Sequence, residues 1–266
     1  MEYVVREIYD NLHNAITIEE LQWMLRKAKR HTALYTILLL GVTTGMRCDE
    51  LIKLQVNNVR NFKHIIYSVD KPKTTRTADR IEMVRKHRCV ELDPWVGREL
   101  QAYFELNLGK VPTSTGVVYY SQYHDTQRDN KIFNWKNSAS FDAQFFKLRR
   151  SMREAGFPSD RMEKLTTWHI RHSKRPTYVV RFHQLRHFYA SVMFYRFGKD
   201  IKAVQREIKH TRSQTTDGYI HCAGDMNTTE QFLIRASWSE ICGYGREYQL
   251  VLGQATTPNQ CVLNMY

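Results

Sequence analysis

Cysteine is scarce in this sequence and shows no pattern. Five occur in 266 residues, Cys48, Cys89, Cys222, Cys242 and Cys261, widely spaced and never as a C-x-x-C pair. That excludes a disulfide framework and a thiolate zinc site as organising devices. No apolar run approaches the ~20 residues that cross a bilayer; the longest, "ALYTILLLGV" from Ala33 to Val42, reads instead as a buried helix. The opening "MEYVVREIYDN" has neither the basic flank nor the apolar stretch of a secretory signal. These absences predict an intracellular protein with reduced thiols and no membrane contact. Internal repeats and low-complexity tracts are missing as well, which argues against solenoids and disorder.

Acidic residues are the most informative absence. From Lys164 to Lys199 there are eight Lys or Arg, four His and no Asp or Glu. The whole chain has 40 Lys plus Arg against 27 Asp plus Glu, a formal charge of +13. A charged run is often just a solvated face, but one this long without a compensating acid points to phosphate contacts and a polyanionic partner.

With 42% hydrophobic residues the chain can bury a substantial core. Thr17 and Glu20 form a capping-box pattern ahead of Ile18, Leu21, Leu25 and Ala28 at helical spacing, so a helix is expected to start near residue 18. The run ending at Val42 makes a second helix. "TTGMR" breaks it at Gly45, and "CDELIKLQV" restarts a helix with Arg47 at its entrance. "HIIYSV" (64–69) and "RCVEL" (88–92) predict two strands joined by a basic hairpin tip. Helices are expected at about 94–106 and 141–155, with "GVVYYSQY" and "PTYVVRF" as short strands. Further helices are expected at 183–197, stopped by Gly198, at 200–209, and over "TTEQFLIRASWSEICG". The class is therefore α+β, mainly α-helical with a small antiparallel sheet or hairpin.

On a helix, His183, Arg186 and His187 fall on one side and Leu185, Phe188 and Val192 on the other. One face would pack inward while the other offers a guanidinium and two imidazoles to a partner. Three segments then occur in order: "TTGMRCDELIKL" around Arg47, "FHQLRHFYA" around His183 and Arg186, and "IKHTRSQTTDGYIH" around His210 and Tyr219. Together they resemble the tyrosine recombinase (phage integrase) family, whose pattern is an Arg after Thr-Gly-aliphatic, a His-x-x-Arg pair, a second His, and a tyrosine nine residues beyond it. That last spacing is kept between His210 and Tyr219. The resemblance covers roughly Thr17 to Ile234.

The resemblance implies the tyrosine recombinase catalytic-domain fold and a site-specific recombinase or integrase of a mobile element. Such an enzyme acts on double-stranded DNA through a 3′-phosphotyrosine intermediate, without metal, ATP or other cofactor. Tyr219 is then the nucleophile, Arg47 and Arg186 clamp the scissile phosphate, and His183 and His210 accept or share protons there. Such chemistry suits these residue types: a phenol of pKa near 10 needs a site that stabilises charge on phosphorus, and guanidiniums present paired N–H donors that Lys cannot copy. The family takes the leaving-group proton from a lysine in the hairpin after the first arginine. Lys73 is the choice here, with Lys71 and Lys86 as alternatives. Glu50 matches an acidic position that braces the cluster.

The implied organisation is a lead-in at 1–16, a catalytic domain at 17–240 and a tail at 241–266. In this family such a tail docks on a neighbouring protomer, which implies self-assembly, as a tetramer, on paired sites. Departures include Lys209 where glycine is usual before the second His, and a long interval between Arg47 and Arg186. Only about sixteen residues precede the first expected helix, where the family has a separate DNA-clamping domain, so the sequence reads as a fragment or a minimal member. A type IB topoisomerase, which shares this chemistry, and a DNA-binding protein without catalysis are the competing expectations.

Overall fold

Helix α1 (Ile18–Ala28) begins at a closed capping box. Thr17 Oγ1 accepts the Glu20 N–H at 3.1 Å, and the Glu20 carboxylate accepts the Thr17 N–H at 2.9 Å. Leu21, Met24, Leu25 and Ala28 face the core from one side. The computed structural model describes residues 16–72, 83–114, 116–121, 130–157, 180–208 and 226–245. Helix α2 (Thr32–Thr44) has no polar face and is accordingly buried on all sides from Leu34 onward. It is the central strut, packed against α1 and against two later helices, Pro94–Asn107 and His183–Arg196.

Gly45 ends α2 with φ 62°, a left-handed conformation that L side chains resist. A Cβ there would also lie 2.4 Å from the ring of Tyr189. The turn this permits leads into α3 (Cys48–Ile52), shorter than the sequence pattern suggests. The chain leaves the helix because residues 130–132 capture its backbone: Val56 N–H donates to the Asn130 carbonyl at 2.8 Å, and Ile132 N–H to the Leu54 carbonyl at 2.9 Å. Ile132, Phe133 and Trp135 then enter the core.

Strands β1 (Val59–Arg60), β2 (His64–Pro72) and β3 (Met83–Glu91) form an antiparallel sheet in that order. The register pairs Ile65 with Val90 and Tyr67 with Arg88, and the ladder continues to Pro72 opposite Met83. Both strands thus run further toward the tip than their apolar runs indicate. Ile65, Tyr67 and Arg88 are buried, whereas Ile66, Ser68, His87 and Cys89 are exposed, the two-residue alternation of a sheet covered on one side.

Helix α4 (Pro94–Asn107) follows, capped by Asp93, whose Oδ1 accepts the Trp95 N–H at 2.9 Å. A second hairpin pairs β4 (Gly109–Thr113) with β5 (Gly116–Tyr120). Only β5 is legible as a strand beforehand, because Lys110 and Pro112 disguise β4; a two-stranded ribbon tolerates such residues. Helix α5 (Ser138–Glu154) starts at a capping Asn137 and buries Phe141, Phe145, Leu148 and Met152.

Helix α6 (His183–Arg196) ends near Gly198, at φ 62°, and is followed by α7 (Ile201–Glu207), capped by Asp200. The single helix expected over "TTEQFLIRASWSEICG" is two: α8 (Met226–Arg235) and α9 (Trp238–Ile241). The break has two causes. Ser237 and Glu240 close a capping box of their own, and Arg196 donates to the carbonyls of Leu233 (3.2 Å) and Ala236 (2.6 Å), terminating α8. The expected strand "PTYVVRF" falls mainly outside the described residues, as does the tail from residue 246.

Candidate active site

Arg47 sits where the Gly45 turn delivers it, at the cap of α3. Its side chain is 36% exposed, and Glu50, one turn further, accepts from both its backbone N–H (3.0 Å) and its Nη1 (3.3 Å). Glu50 is 9% exposed and has two other donors, Arg88 Nη1 at 2.8 Å and the Tyr67 hydroxyl at 3.3 Å. The carboxylate therefore ties the Arg47 turn to the inward face of the β2–β3 sheet. Burial, and then the Glu50 charge, raise the Tyr67 pKa, so its phenol stays protonated and donates.

Arg186 lies on α6 and is 3% exposed. Its Nη1 donates to the Gly45 carbonyl and its Nη2 to the Ile208 carbonyl, the latter at 2.5 Å. One guanidinium thus pins the turn that positions Arg47 and the end of α7, two residues ahead of His210. The side of α6 expected to be offered to a partner is instead largely enclosed: Arg186 and His187 are buried and His183 is half-buried. His183 and His187 contact edge to face, with ring centroids 5.1 Å apart.

The His183 imidazole is pushed down to about 4, first by burial and then by the charges of Arg181, Arg186 and Arg47. It is neutral near pH 7, able to accept a proton or a hydrogen bond inside an otherwise cationic site. Its effect on stability has a definite sign. The unfolded chain binds this proton near pH 6.5 and the folded chain only near 4, so folding stability contributed by neutral His183 is full above about 6.5 and is lost as pH falls toward 4. Thermal unfolding of wild type across this window should show that decline, and His183→Gln should flatten it; an equally steep decline in the variant would place the titration elsewhere.

Of the six residues singled out beforehand, the structure brings together Arg47, His183 and Arg186. Lys73, His210 and Tyr219 lie outside the described residues. Of the alternative lysines, Lys71 lies in β2 opposite Val84, and Lys86 in β3 opposite Val69. Sequence reasoning missed Arg88 and Tyr67. The available signal was a charged residue at an inward position of "RCVEL", which has to be paired to be buried. Among the described residues, no three His, Cys, Asp or Glu side chains form a potential metal-ligand group. No described helix is long and apolar enough to cross a membrane.

The charges of Arg181, Arg186 and Arg47 thus bear on one neutral imidazole, in a mainly helical domain with small antiparallel sheets. The model of the phage integrase family matches residues 14–225, and the chain belongs to that family. Solved structures agree on the fold. XerA recombinase superposes with a TM-score of 0.51 at 20% identity, over 84% of this chain and 65% of that one. The Tn1549 transposon integrase (residues 82–397), in complex with circular intermediate DNA, gives 0.51 at 15% identity, over 82% and 64%. The chain thus spans slightly less than two thirds of either structure. No curated protein sequence matches it.

Proposed function

We propose that residues 17–240 are the catalytic domain of a site-specific DNA recombinase that cuts and rejoins strands through a 3′-phosphotyrosine ester. The observation that supports this best is the convergence of Arg47, Arg186 and a neutral His183 at one junction, in a chain whose family is phage integrase. In this reading the Tyr219 oxygen attacks the scissile phosphorus, the P–O5′ bond breaks, and the ester stores the bond energy for rejoining. The phenolic proton passes to His183, and the guanidinium of Arg47 holds the non-bridging oxygens. His210 donates a further hydrogen bond. The leaving 5′ oxygen takes its proton from Lys73, and paired sites assemble a tetramer through the tail at 241–266.

The test is to trap protein–DNA adducts from the native host, sequence the attached DNA, and offer that site as a nicked duplex to the purified chain. The expected product is a peptide containing Tyr219 joined to a 3′ phosphate. Adducts absent under both conditions would overturn the proposal.

The general acid has its own test. With sulfur replacing the 5′ bridging oxygen the leaving group needs no proton. Lys73→Ala should therefore lose about 10²–10⁴-fold in cleavage on ordinary DNA and recover on the sulfur substrate. Recovery shown by Lys71→Ala or Lys86→Ala instead would move the role to that residue.

A further inference from the structure

The Glu50 carboxylate is saturated. An ionised carboxylate has about four acceptor sites; here Oε1 takes Arg47 Nη1 and Arg88 Nη1, and Oε2 takes the Arg47 N–H and the Tyr67 hydroxyl. Two guanidiniums therefore share one negative charge, and they share it unequally. Arg88 is the inner partner, at 2.8 Å and with its side chain 6% exposed. Arg47 is the outer partner, at 3.3 Å and 36% exposed. The closer and drier pair dominates, because attraction grows as distance and local dielectric fall. Arg88 also lies over the Tyr67 ring, its Cζ 5.9 Å from the centroid, which fixes its direction toward Glu50.

From this asymmetry we infer that Arg88 is a positioning residue that neutralises Glu50, so that Arg47 is anchored by the carboxylate without surrendering its charge to it. This rests on the reading of Arg47 as a phosphate clamp. A buried carboxylate with Arg47 as its sole cationic partner would draw that guanidinium inward into a closed pair, and an incoming phosphate would have to compete for it. With Arg88 in place, Glu50 orients Arg47 through the backbone N–H and one long contact, and net positive charge remains at the exposed guanidinium. The inner arginine belongs to β3 and the outer to the α2–α3 turn, so the same carboxylate sets the β2–β3 sheet, whose strands carry Lys71 and Lys86, against the proposed clamp.

The distinctive consequence is a rescue. Arg88→Gln leaves Glu50 charged with Arg47 as its remaining cation, and should slow single-turnover cleavage of the trapped-site duplex by about 10²-fold, the order of losing one phosphate donor. Adding Glu50→Gln removes the charge that sequesters Arg47 and leaves two amides able to bond each other. The double variant should recover at least tenfold over Arg88→Gln. A purely structural role for Arg88 predicts no such recovery, since the second substitution only removes more contacts. Circular dichroism and nonspecific DNA affinity are measured alongside, and both should stay close to wild type in the double variant.

Wild-type rate in Arg88→Gln, or a double variant no faster than the single, overturns the inference while leaving the recombinase reading intact. Failure of wild type to form any adduct overturns both. If Arg88→Gln does not accumulate as folded protein, the double variant decides by itself. Cleavage within about tenfold of wild type upholds the role, and any greater loss ends it.

Discussion

Tyr219→Phe is expected to abolish covalent attachment to DNA, a loss on the order of 10⁴-fold or more, while DNA affinity changes by no more than a few-fold. A single oxygen is removed and every charge remains. On the proposed reading, DNA affinity in a chain of net charge +13 should come chiefly from phosphate contacts, which the substitution does not touch. The measurement is adduct formation on the nicked duplex, resolved by denaturing electrophoresis, with binding followed by gel shift. Adduct formed by the Phe variant at near wild-type rate would remove Tyr219 from the mechanism. Tyrosines of α6 could not then replace it where they stand. Tyr189 is 5% exposed, donates to Glu207 at 2.7 Å and stacks on Trp238, and burial and the Glu207 charge raise its pKa well above 10. Tyr195 is buried too, at 6%.

Tyr189 also shows why the site is held as it is. Its ring lies against Gly45, closing the space a side chain would need, and its hydroxyl ties α6 to α7 through Glu207. Arg186 repeats the connection one turn earlier on α6, joining the Gly45 carbonyl to that of Ile208. The Arg47 turn and the end of α7 are thus fixed to the same helix by two adjacent side chains. Elements fixed this way have few alternatives open to them, which is the preorganisation that electrostatic catalysis requires.

Local signals and long-range ones were not equally readable from the residues. The capping box at Thr17, the stop at Gly45, the helix from Pro94 and the strand run "HIIYSV" are determined within a few residues, and all appear where the pattern puts them. The Ser237 box had the same local form but was overrun by the apolar spacing on either side of it. The shortness of α3 was not legible, because its cause is a backbone segment about 75 residues away, Asn130 to Ile132, that pulls Leu54 and Val56 into its own hydrogen bonds. At the site, Arg47, His183 and Arg186 could be named from order and spacing, but not how they are used. Arg186 and Arg196 belong to the acid-free stretch that suggested phosphate contacts, yet both donate to backbone carbonyls. The partners of Glu50 were hidden for the same reason, since Tyr67 and Arg88 meet it only through strand register.

Replacing Arg47, the proposed phosphate clamp, or Arg186, which braces its turn, by lysine keeps the charge and removes the fork, and each should cost about 10²–10³-fold in cleavage. The two variants should differ in everything else. Arg47 is partly exposed, and its backbone N–H, which lysine retains, is its closer contact with Glu50. Arg47→Lys should therefore lose rate with little change in melting temperature. Arg186 is buried and spends two of its N–H groups on carbonyls of separate segments. A lysine ammonium cannot span Gly45 and Ile208 in the same plane, so at least one carbonyl is left without its charged donor, at a cost of about 1.5–3 kcal/mol. For a domain of this size that corresponds to a fall of roughly 3–12 °C in melting temperature. The rate loss in Arg186→Lys should also persist well below its melting point, because the Arg47 turn is released along with the guanidinium. Parallel melting curves and single-turnover rates decide the matter. Equal stability of the two variants would show that the carbonyl contacts of Arg186 do not hold the site together, and near wild-type cleavage by either would show that the proposed site does not depend on that arginine.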